Sequence, residues 1–539
     1  MLLLPTLKVV CLAAISVSPN FKQDHARELT QGLSLERELS AGENQAYTVR
    51  LESGGGIIAE ARQEGIPVEI EITDPDGAKI ATVDSPNDVH APAAIRITVD
   101  KEGVYRFVVH SLDPAAKPGK YVLKVDRILS LADNAEEAAK ELYDSPTMFE
   151  LWKNARSDVG AVDKLLSDRA GKGPIIEEFP GDKEMSLVTF LYKGDPDTLS
   201  VTLNGGPDGA VGGSPLDKFK DTNLFYRSVP IPKDARFGYM FTVVKRHLAG
   251  PDHSVDTREA NAIADPLNPN AYYEKSTLTL PEAPAQPYSD PVDSVAKGVV
   301  KSTSLKSAIL GEDRHVYVYT PADYDGKQPC ELVIAFDGER WGGVADQIRV
   351  PVPTLLDNLQ AQHKIPPTVA ILVDAMGLRN RDLTCNKPFA DFVAQELTPW
   401  ARKTLNIKPG AEHVTVAGSS FGGTCSAYCG LTHSETIGNV VAMSGVYTIA
   451  PGWQTSNQPY RGEGTIIDGY RKSKRLPLRF YIDVGRFDFL PVFYTSAREL
   501  RDILTLKGNP VTYEEFDGGH DPLQWRGALA NGFIAVLNH

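Results

Sequence analysis

The stretch Val414-Thr-Val-Ala-Gly-Ser-Ser-Phe-Gly-Gly-Thr-Cys-Ser-Ala-Tyr-Cys-Gly430 determines how the C-terminal half of this chain is interpreted. A short apolar run meets a segment of small residues, with a G-x-S-x-G pattern at the junction. This pattern is typical of a strand that turns sharply into a helix and presents a serine at the turn. Because Ser420, unlike Ser419, has a glycine two positions away on both sides, we predict that Ser420 is a nucleophile. The alternative is a buried serine in a glycine-rich turn.

Apolar runs of strand length surround this turn and alternate with helical stretches such as 388–405 and 494–505. The runs are Val316-Tyr-Val-Tyr319, Leu332-Val-Ile-Ala-Phe336, Val369-Ala-Ile-Leu-Val373, Val414-Thr-Val-Ala417, Leu478-Arg-Phe-Tyr-Ile482 and Val511-Thr-Tyr513. Such alternation predicts a mostly parallel sheet with helices on both faces. We therefore assign residues 286–539 to an α/β-hydrolase catalytic domain.

A serine hydroxyl needs a base that removes its proton. In this fold the base follows the last strand, and the acid lies between serine and base in the chain. Among the histidines beyond residue 286, only His520 has this place, in Asp517-Gly-Gly-His-Asp521. Asp488 is the preferred acid because we place it in the loop after a strand, and Asp483, which we place within that strand, is the alternative. The acid would hold the imidazole in the required tautomer.

An oxyanion that forms during attack on a carbonyl needs preorganised N–H donors. The backbone N–H of Phe421, directly after the serine, is one candidate. The second donor is expected in the loop that follows Leu332-Val-Ile-Ala-Phe336. Glu339 and Arg340 both qualify there, and the sequence does not decide between them.

Two β-sandwich modules are predicted upstream of the catalytic domain. Short alternating apolar and polar runs with turns between them occupy 34–127, and β-type runs return from about 176 to 250. We place the first sandwich at 21–128, a helical connector at 129–170 and the second sandwich at 171–285. The proline-rich stretch 281–291 is interpreted as a linker. The fold class is thus multidomain, with two sandwiches before an α/β-hydrolase domain.

Residues 1–20 are interpreted as a signal peptide. An apolar run from Val9 to Val17 is too short to span a bilayer and is followed by the small-residue pattern Ser16-Val-Ser18. We therefore expect a periplasmic or secreted protein, with a cytoplasmic location as the alternative. No other stretch predicts a membrane span.

Composition excludes several functional classes. The chain has 539 residues and a formal net charge of −14, which argues against binding to nucleic acid. Its five cysteines include no C-x-x-C pair and no zinc-ligand spacing, so we expect neither a metal nor a cofactor. Cys425 and Cys429, four apart on a predicted helix, are expected to pack rather than to form a disulfide.

Several strings resemble those of the ferric enterochelin (enterobactin) esterases. They are Leu332-Val-Ile-Ala-Phe-Asp-Gly-Glu-Arg-Trp341, Leu372-Val-Asp-Ala375, Thr384-Cys-Asn386, Gln395-Glu-Leu-Thr-Pro399, Val416-Ala-Gly-Ser-Ser-Phe-Gly-Gly423, Gly518-Gly-His-Asp-Pro-Leu-Gln-Trp-Arg-Gly527, Ile263-Ala-Asp-Pro-Leu-Asn-Pro269 and Leu280-Pro-Glu-Ala-Pro284. The resemblance covers about 170–539 and implies that 171–285 is the family's Ig-like N-terminal domain. The first module is similar to the pre-peptidase C-terminal domain of secreted bacterial enzymes in Gly42-Glu-Asn-Gln-Ala-Tyr47, Ile72-Thr-Asp-Pro-Asp-Gly77 and Glu102-Gly-Val-Tyr-Arg-Phe-Val-Val109.

The resemblance implies a serine carboxylic ester hydrolase that opens the ester bonds of a catecholate siderophore through an acyl-enzyme. By position it supports Ser420 and His520, and it places the family's acidic residue, commonly Glu, near Asp488. An aromatic wall suits a catechol or ferulate ring. The candidates for lining the pocket, with ordinary packing as the alternative, are Arg340, Trp341, Trp525 and Arg526.

The sequence leaves the substrate open. Arg340 stands where the family commonly has an aromatic residue, and Gln524 replaces a family cysteine. The same fold subgroup includes feruloyl and acetyl esterases, so an ester linked to a polysaccharide is the alternative to a ferric siderophore. A third hypothesis is a non-catalytic binding protein with an inert hydrolase domain, against which the intact order of serine, acid and histidine speaks.

Overall fold

The computed structural model describes residues 26–84, 92–113, 115–129, 143–208, 213–245, 262–344, 346, 348–450, 465–488 and 490–538. These residues form two compact units that divide between Val159 and Gly160, inside the predicted connector. The predicted signal peptide and most of the first part of the connector lie outside the described residues.

The first unit contains two sheets that share one apolar core. Its elements are β1 Arg27–Glu28, β2 Ser34–Leu39, β3 Asn44–Leu51, β4 Gly56–Glu64, β5 Val68–Thr73, β6 Lys79–Asp84, β7 Pro92–Thr98, β8 Gly103–Ser111, β9 Gly119–Leu129 and the helix α1 Pro146–Asn154. The strand orders are β1-β3-β8-β5-β6 and β2-β9-β4-β7. In β5, Val68, Ile70 and Ile72 are buried while Glu69 and Glu71 between them are not. This alternation is what the period of a strand produces when one face is covered.

The second unit begins with α2 Ala161–Arg169 and two further small sheets. Their strands are β10 Ile175–Glu178, β11 Met185–Lys193, β12 Thr198–Gly205, β13 Ser214–Pro215, β14 Asp217–Lys218, β15 Leu224–Pro232, β16 Arg236–Lys245, β17 Ala262–Ile263, β18 Ala271–Tyr272 and β19 Lys275–Thr279. The orders are β10-β11-β15-β14 and β13-β12-β16-β19-β18, with β17 also paired to β16. Aromatic side chains fill the core between the sheets, and the rings of Phe190 and Tyr239 meet edge to face at 4.9 Å. We call residues 175–280 the upstream module.

The rest of the second unit is organised around one large sheet in the order β20-β21-β23-β22-β24-β25-β26-β27. Its strands are β20 Val299–Ser307, β21 Glu312–Thr320, β22 Glu331–Ala335, β23 Thr368–Val373, β24 Val414–Ser419, β25 Asn439–Met443, β26 Arg479–Gly485 and β27 Val511–Phe516. The helices are α3 Val352–Ala361, α4 Arg379–Asp382, α5 Lys387–Phe392, α6 Thr398–Thr404, α7 Phe421–Thr432, α8 Ile466–Lys472, α9 Val492–Leu506 and α10 Pro522–Leu537. Short π turns cover Glu339–Gly343 and Val393–Leu397, and 3-10 turns cover Gly206–Asp208 and Ala411–His413.

The six strands β22 to β27 run parallel to one another. Strand β21 is antiparallel to both of its neighbours, β20 and β23. Every residue of β22, β23, β24 and β25 is buried because apolar clusters cover both faces of the sheet. Side chains of α3 and α10 belong to one cluster, and those of α5, α6, α7 and α9 belong to the other. The predicted strands and helices of this region are therefore present. In a parallel sheet the carboxyl ends of neighbouring strands meet at one edge, which is where a site is expected.

In the part of the chain that the structure describes, no helix is both long and apolar enough to cross a bilayer.

Candidate active site

Ser420 lies at the turn between β24 and α7, with φ 58° and ψ −126°. A side chain other than glycine rarely adopts a positive φ, so the surrounding structure must hold this residue in place. The Ser420 N–H donates to the carbonyl of Met443 at 2.8 Å, and the Ser420 carbonyl accepts from the Thr424 N–H at 3.0 Å. The strained strand-to-helix turn that the G-x-S-x-G pattern predicts is thus present.

Glycines let the strand and the helix pass closely on either side of Ser420. A Cβ atom at Gly418 would lie 2.4 Å from the backbone carbon of Gly422. A Cβ at Gly422 would meet nothing closer than 3.6 Å, whereas one at Gly423 would lie 2.6 Å from the Met443 carbonyl. The sequence pattern correctly marks Gly418, but the close approach on the helix side falls on Gly423, because that residue faces β25.

His520 and Asp488 are joined by a hydrogen bond of 2.7 Å between Nδ1 and Oδ1. Asp488 follows β26 and His520 follows β27, and these strands are neighbours in the sheet. The Asp488 side chain is fully buried, while the imidazole is 16% exposed. The rings of Phe493 and Trp525 contact the imidazole at 4.8 Å, and Trp525 meets it edge to face. With Nδ1 turned to the carboxylate, Nε2 lies on the opposite side of the ring. We call residues 517–521 the histidine loop.

The three residues predicted as a triad therefore share the carboxyl edge of the sheet. Ser420 follows β24, and two strands separate it from the strand before His520. The geometry brings the acid and the base into direct contact and places the serine on a strained turn at the same edge. Their catalytic roles remain a prediction at this point.

Asp483, the alternative acid, lies inside β26 and is completely buried. Its Oδ1 accepts a hydrogen bond of 3.2 Å from the Ser444 N–H. Burial, with the Glu514 and Asp488 carboxylates nearby, raises the pKa of Asp483 well above its usual value. A carboxyl that is buried inside a strand and bonded to a backbone N–H does not have the place of a base-orienting carboxylate, so the geometry favours Asp488.

Ser444 links Asp483 to the ring that packs on His520. Its hydroxyl accepts a hydrogen bond of 3.1 Å from Nε1 of Trp525. Like Ser420, Ser444 has a positive φ, of 43°, and it follows the next strand, β25. The sequence analysis missed Ser444, since no local pattern distinguishes it from other buried serines.

The loop after β22 contacts the start of α7. Arg379 binds the Asp337 carboxylate through Nε at 2.7 Å and Nη2 at 3.1 Å, and its guanidinium lies 5.3 Å from the centre of the Phe421 ring. Phe421 is the first residue of α7, and Glu339 begins the π turn after β22. These contacts join the two segments from which oxyanion donors are predicted.

The Glu339 side chain is turned inward. Its carboxylate accepts from the Ala375 N–H at 3.0 Å. Burial raises the pKa of Glu339 above its usual value. Which amide of this loop is the second oxyanion donor remains a prediction.

Three of the four predicted pocket-lining residues are largely buried or engaged. Trp341 is 3% exposed and Trp525 7%, and both belong to the same apolar cluster. Arg526 binds Gln286 at 2.8 Å and Asp290 at 3.2 Å, and its guanidinium lies 4.9 Å from the centre of the Tyr272 ring. These contacts agree with packing, the alternative interpretation, while a role of the three residues in lining the pocket stays a prediction. The Arg340 side chain is 46% exposed and lies 3.9 Å from the Glu339 carboxylate.

Three other histidines of the large-sheet region pair with carboxylates away from Asp488. His315 contacts Asp374 at 3.2 Å, His413 contacts Glu331 at 3.0 Å, and His433 contacts Asp391 at 2.9 Å. The Sγ atoms of Cys425 and Cys429 are 3.8 Å apart and both thiols are free, as expected from packing. Within the described ranges no group of three or more histidine, cysteine or acidic side chains is placed to hold a metal ion.

Comparison with known proteins shows that the chain is a carboxylic ester hydrolase. Residues 307–536 match a family described as putative esterase, and residues 187–289 match the N-terminal domain of enterochelin esterase. The iron(III) enterobactin esterase of Escherichia coli O6:H1 is 32% identical over 384 residues, which cover 65% of this chain and 91% of that protein. The chain belongs to the enterobactin esterase family.

Further relatives agree with this membership. The iron(III) enterobactin esterase of Dickeya dadantii is 25% identical over 457 residues, which cover 79% of this chain and 97% of that protein. The crystal structure of the Shigella flexneri enterobactin esterase in the presence of enterobactin superposes with a TM-score of 0.54 at 27% identity, covering 68% of this chain and 95% of that one. The ferric enterobactin esterase of Salmonella typhimurium gives a TM-score of 0.56 at 25% identity, with 68% and 97% covered. The family resemblance is thus confirmed, whereas the pre-peptidase resemblance of the first module stays a prediction.

Proposed function

We propose that this chain hydrolyses the ester bonds of a ferric catecholate siderophore, with Ser420, His520 and Asp488 as the catalytic residues. The observation that carries the proposal is the 2.7 Å bond between His520 and the buried Asp488 at the sheet edge that also bears Ser420. The names of the relatives, iron(III) enterobactin esterases, support the substrate class.

The arrangement supports an acyl-enzyme mechanism. Ser420 Oγ attacks the ester carbonyl while His520 Nε2 takes its proton, and the Asp488 carboxylate stabilises the resulting imidazolium. The oxyanion is bound by the backbone N–H groups of Phe421 and Glu339, because the Arg340 N–H already donates to the Asp337 carbonyl at 2.9 Å. Collapse of the tetrahedral intermediate expels the alcohol, which receives the proton from His520. Water, activated by the same imidazole, then attacks the acyl-enzyme and frees Ser420.

A ferric catecholate is anionic, so its binding calls for exposed cations near the site. Arg379 and Arg526 already hold carboxylates of this chain. Arg340 is more exposed and only distantly paired, which makes it the cation we assign to substrate contact. In this proposal Trp525 packs against the His520 ring, and Trp341 belongs to the same apolar cluster as Trp525. The iron belongs to the substrate, not to the enzyme.

The finer architecture and the location of the chain also belong to this proposal. We assign the first unit to a β-sandwich, the upstream module to an Ig-like sandwich and residues 286–539 to the α/β-hydrolase fold, on the strand orders and shared cores described above. The leader sequence 1–20 supports export to the periplasm or the medium. Recovery of the chain from cytoplasmic extracts with Met1 intact would overturn the export assignment.

The Ser420→Ala variant tests the chemistry. We expect its kcat on 4-nitrophenyl acetate to fall by about 10⁴-fold or more, with an unchanged circular dichroism spectrum. Ferric enterobactin and feruloylated xylan, assayed side by side by chromatography of the released aromatic acid, test the substrate. Full activity of Ser420→Ala would contradict the mechanism, and a preference for feruloylated xylan would contradict the siderophore assignment.

A further inference from the structure

The start of β16 in the upstream module contacts the segments that carry the predicted acid and base. The Arg236 N–H donates to the Asp517 carbonyl at 3.0 Å, and the Gly238 N–H donates to Asp521 Oδ2 at 3.2 Å. Between them, the Phe237 ring meets the Phe487 ring edge to face at 6.0 Å. Residues 236–238 therefore contact both ends of the histidine loop and the neighbour of Asp488.

The sheet of the upstream module leaves this edge available. Strand β12, which pairs with most of β16, ends at Gly205 opposite Tyr239. N–H groups two residues apart point to the same side of a strand, so those of Arg236 and Gly238 project together beyond the end of β12. The histidine loop takes the place of a neighbouring strand there.

Asp521, directly after His520, joins three parts of the molecule. Its Oδ1 accepts from the Leu523 N–H at 2.8 Å and so caps α10. Its Oδ2 accepts from Gly238 and lies 3.3 Å from Lys275 Nζ on β19. The carboxylate is almost fully buried. Bonds to a charged acceptor that is shielded from water are stronger than neutral ones, which fixes the backbone on one side of His520.

The acid segment is attached to the same loop. The Phe487 N–H donates to the Gly518 carbonyl at 3.0 Å, and Arg486 Nη1 binds Asp517 Oδ2 at 2.8 Å. A displacement of the histidine loop would therefore also move the segment that carries Asp488.

Two glycines in this contact have no room for a side chain. A Cβ at Gly238 would lie 2.5 Å from Asp521 Oδ2, and a Cβ at Gly518 would lie 2.6 Å from the Arg236 carbonyl oxygen. Beside them, a cavity of about 470 Å³ lined in part by Arg236, Gln286 and Asp517 separates the upstream module from the large-sheet region. Hydrogen bonds and the contact between the Phe237 and Phe487 rings connect the two regions at this point.

We propose that residues 236–238, with Lys275, position the histidine loop for catalysis, so that the upstream module is a functional part of the esterase site. The inference rests on the proposed roles of His520 and Asp488. These four residues are positioning residues that act through Asp521 and Phe487, and none of them is required to touch the substrate.

The Gly238→Ala variant tests the proposal. Its methyl group must push the Asp521 carboxylate away, and a misplacement of the order of 1 Å at a catalytic group costs about 10²-fold in rate. We expect kcat on 4-nitrophenyl acetate to fall by about 10- to 100-fold while KM stays within about twofold. We also expect the acidic limb of the pH profile of kcat/KM to shift, since it reports the histidine.

The matched control is Gly194→Ala, in the same module. Its Cβ would lie 2.8 Å from the Phe225 ring, which is a comparable clash. Gly194 follows the Lys193 end of the β11–β15 pair, whereas β16 begins shortly after the Pro232 end. A purely structural role of the module predicts similar effects of the two variants, whereas the positioning role predicts a normal kcat for Gly194→Ala.

A second pair of variants keeps the test open if Gly238→Ala does not fold. Lys275→Met removes the charge that faces Asp521, and we expect kcat to fall by about 3- to 10-fold; Lys275→Arg restores the charge, and we expect recovery to within about twofold. Wild-type kcat and pH profile in Gly238→Ala and Lys275→Met, together with an inactive Ser420→Ala, would overturn the positioning role and leave the proposed function standing. If the wild type hydrolyses no ester, the proposed function fails. The positioning role is then tested by the NMR signals of the His520 imidazole in whichever of Gly238→Ala and Lys275→Met folds. Signals identical to those of the wild type would overturn the positioning role.

Discussion

The turn at Ser420 and the histidine loop lie at the same edge of the sheet but are held by different parts of the chain. Ser420 is fixed by Met443 and by the contact of Gly418 with Gly422, all of which lie within β24, β25 and the start of α7. The histidine loop bonds to Arg486, Phe487 and Leu523 nearby, but also to Arg236 and Gly238, which precede it by more than 250 residues. The serine is thus positioned by its own neighbourhood, whereas the histidine depends on a separate module.

The largest expected effect distinguishes the two carboxylates on the histidine side. In Asp488→Asn the amide no longer enforces the catalytic tautomer of His520, and we expect kcat on 4-nitrophenyl acetate to fall by about 10⁴-fold. Asp483→Asn is the matched control, because a buried carboxyl whose pKa is raised already resembles the neutral amide. We expect its kcat to stay within about fivefold of the wild type. A larger loss in Asp483→Asn than in Asp488→Asn would reassign the acid.

The next effect tests whether the turn at Ser420 is as local as its contacts indicate. In Gly418→Ala the methyl group overlaps the backbone of α7, which must move away from Ser420. We expect kcat to fall by about 10²- to 10³-fold, as after loss of one oxyanion donor. Gly422→Ala has space for its methyl group, and we expect a change within about fivefold. Labelling of each variant by a fluorophosphonate probe measures the same difference; equal rates for the two would contradict a turn controlled by Gly418.

The difference between the two regions also decides what could be predicted from sequence. The strand and helix around Ser420 follow from a local apolar run, a glycine pattern and a stretch of small residues. His520 and Asp488 were found through their order along the chain and their places after strands. Both inferences use information that lies within a few residues of each position, or in the general order of the fold.

Contacts over long sequence distances could not be predicted. No pattern near Gly238 indicates that its N–H is donated to Asp521, and the helix-side contact was assigned to Gly422 although the space is limited at Gly423. Nothing in the sequence near Arg526 indicates that it binds Gln286 and Asp290, which lie far upstream in the chain. The one sequence signal for such contacts was the pair of glycines before His520. A glycine such as Gly518 marks a close backbone approach without naming the partner.

Asp483 is linked by hydrogen bonds both to the turn at Ser420 and to the ring that packs on His520. Its Oδ1 accepts from Ser444, the residue after Met443, whose carbonyl binds the Ser420 N–H. The Ser444 hydroxyl in turn accepts from the Trp525 ring that packs on His520. A charge on Asp483 would therefore disturb the serine side and the histidine side together, which makes its protonation state a test of how far the two can be separated.

The last effect we predict is on stability rather than on rate, and it follows from this carboxyl group. Burial raises the pKa of Asp483 in the folded chain, so that the folded state binds one proton more than the unfolded state once the pH exceeds about 3.9, the usual value for an aspartate. Its contribution to stability is then present at low pH and is lost as the pH rises, at about 1.4 kcal/mol per pH unit until the folded-state pKa is reached. In Asp483→Asn this loss is absent, so the variant should gain in urea midpoint relative to the wild type as the pH is raised above about 4, as followed by tryptophan fluorescence. Asp502→Asn is the control, because that carboxylate is 60% exposed and its pKa is lowered by Arg501, so it should not reproduce the gain. If the urea midpoints of the wild type and Asp483→Asn changed with pH in the same way, Asp483 would be ionised in the folded chain. The residue that contacts both regions would then be a carboxylate and not a neutral carboxyl group.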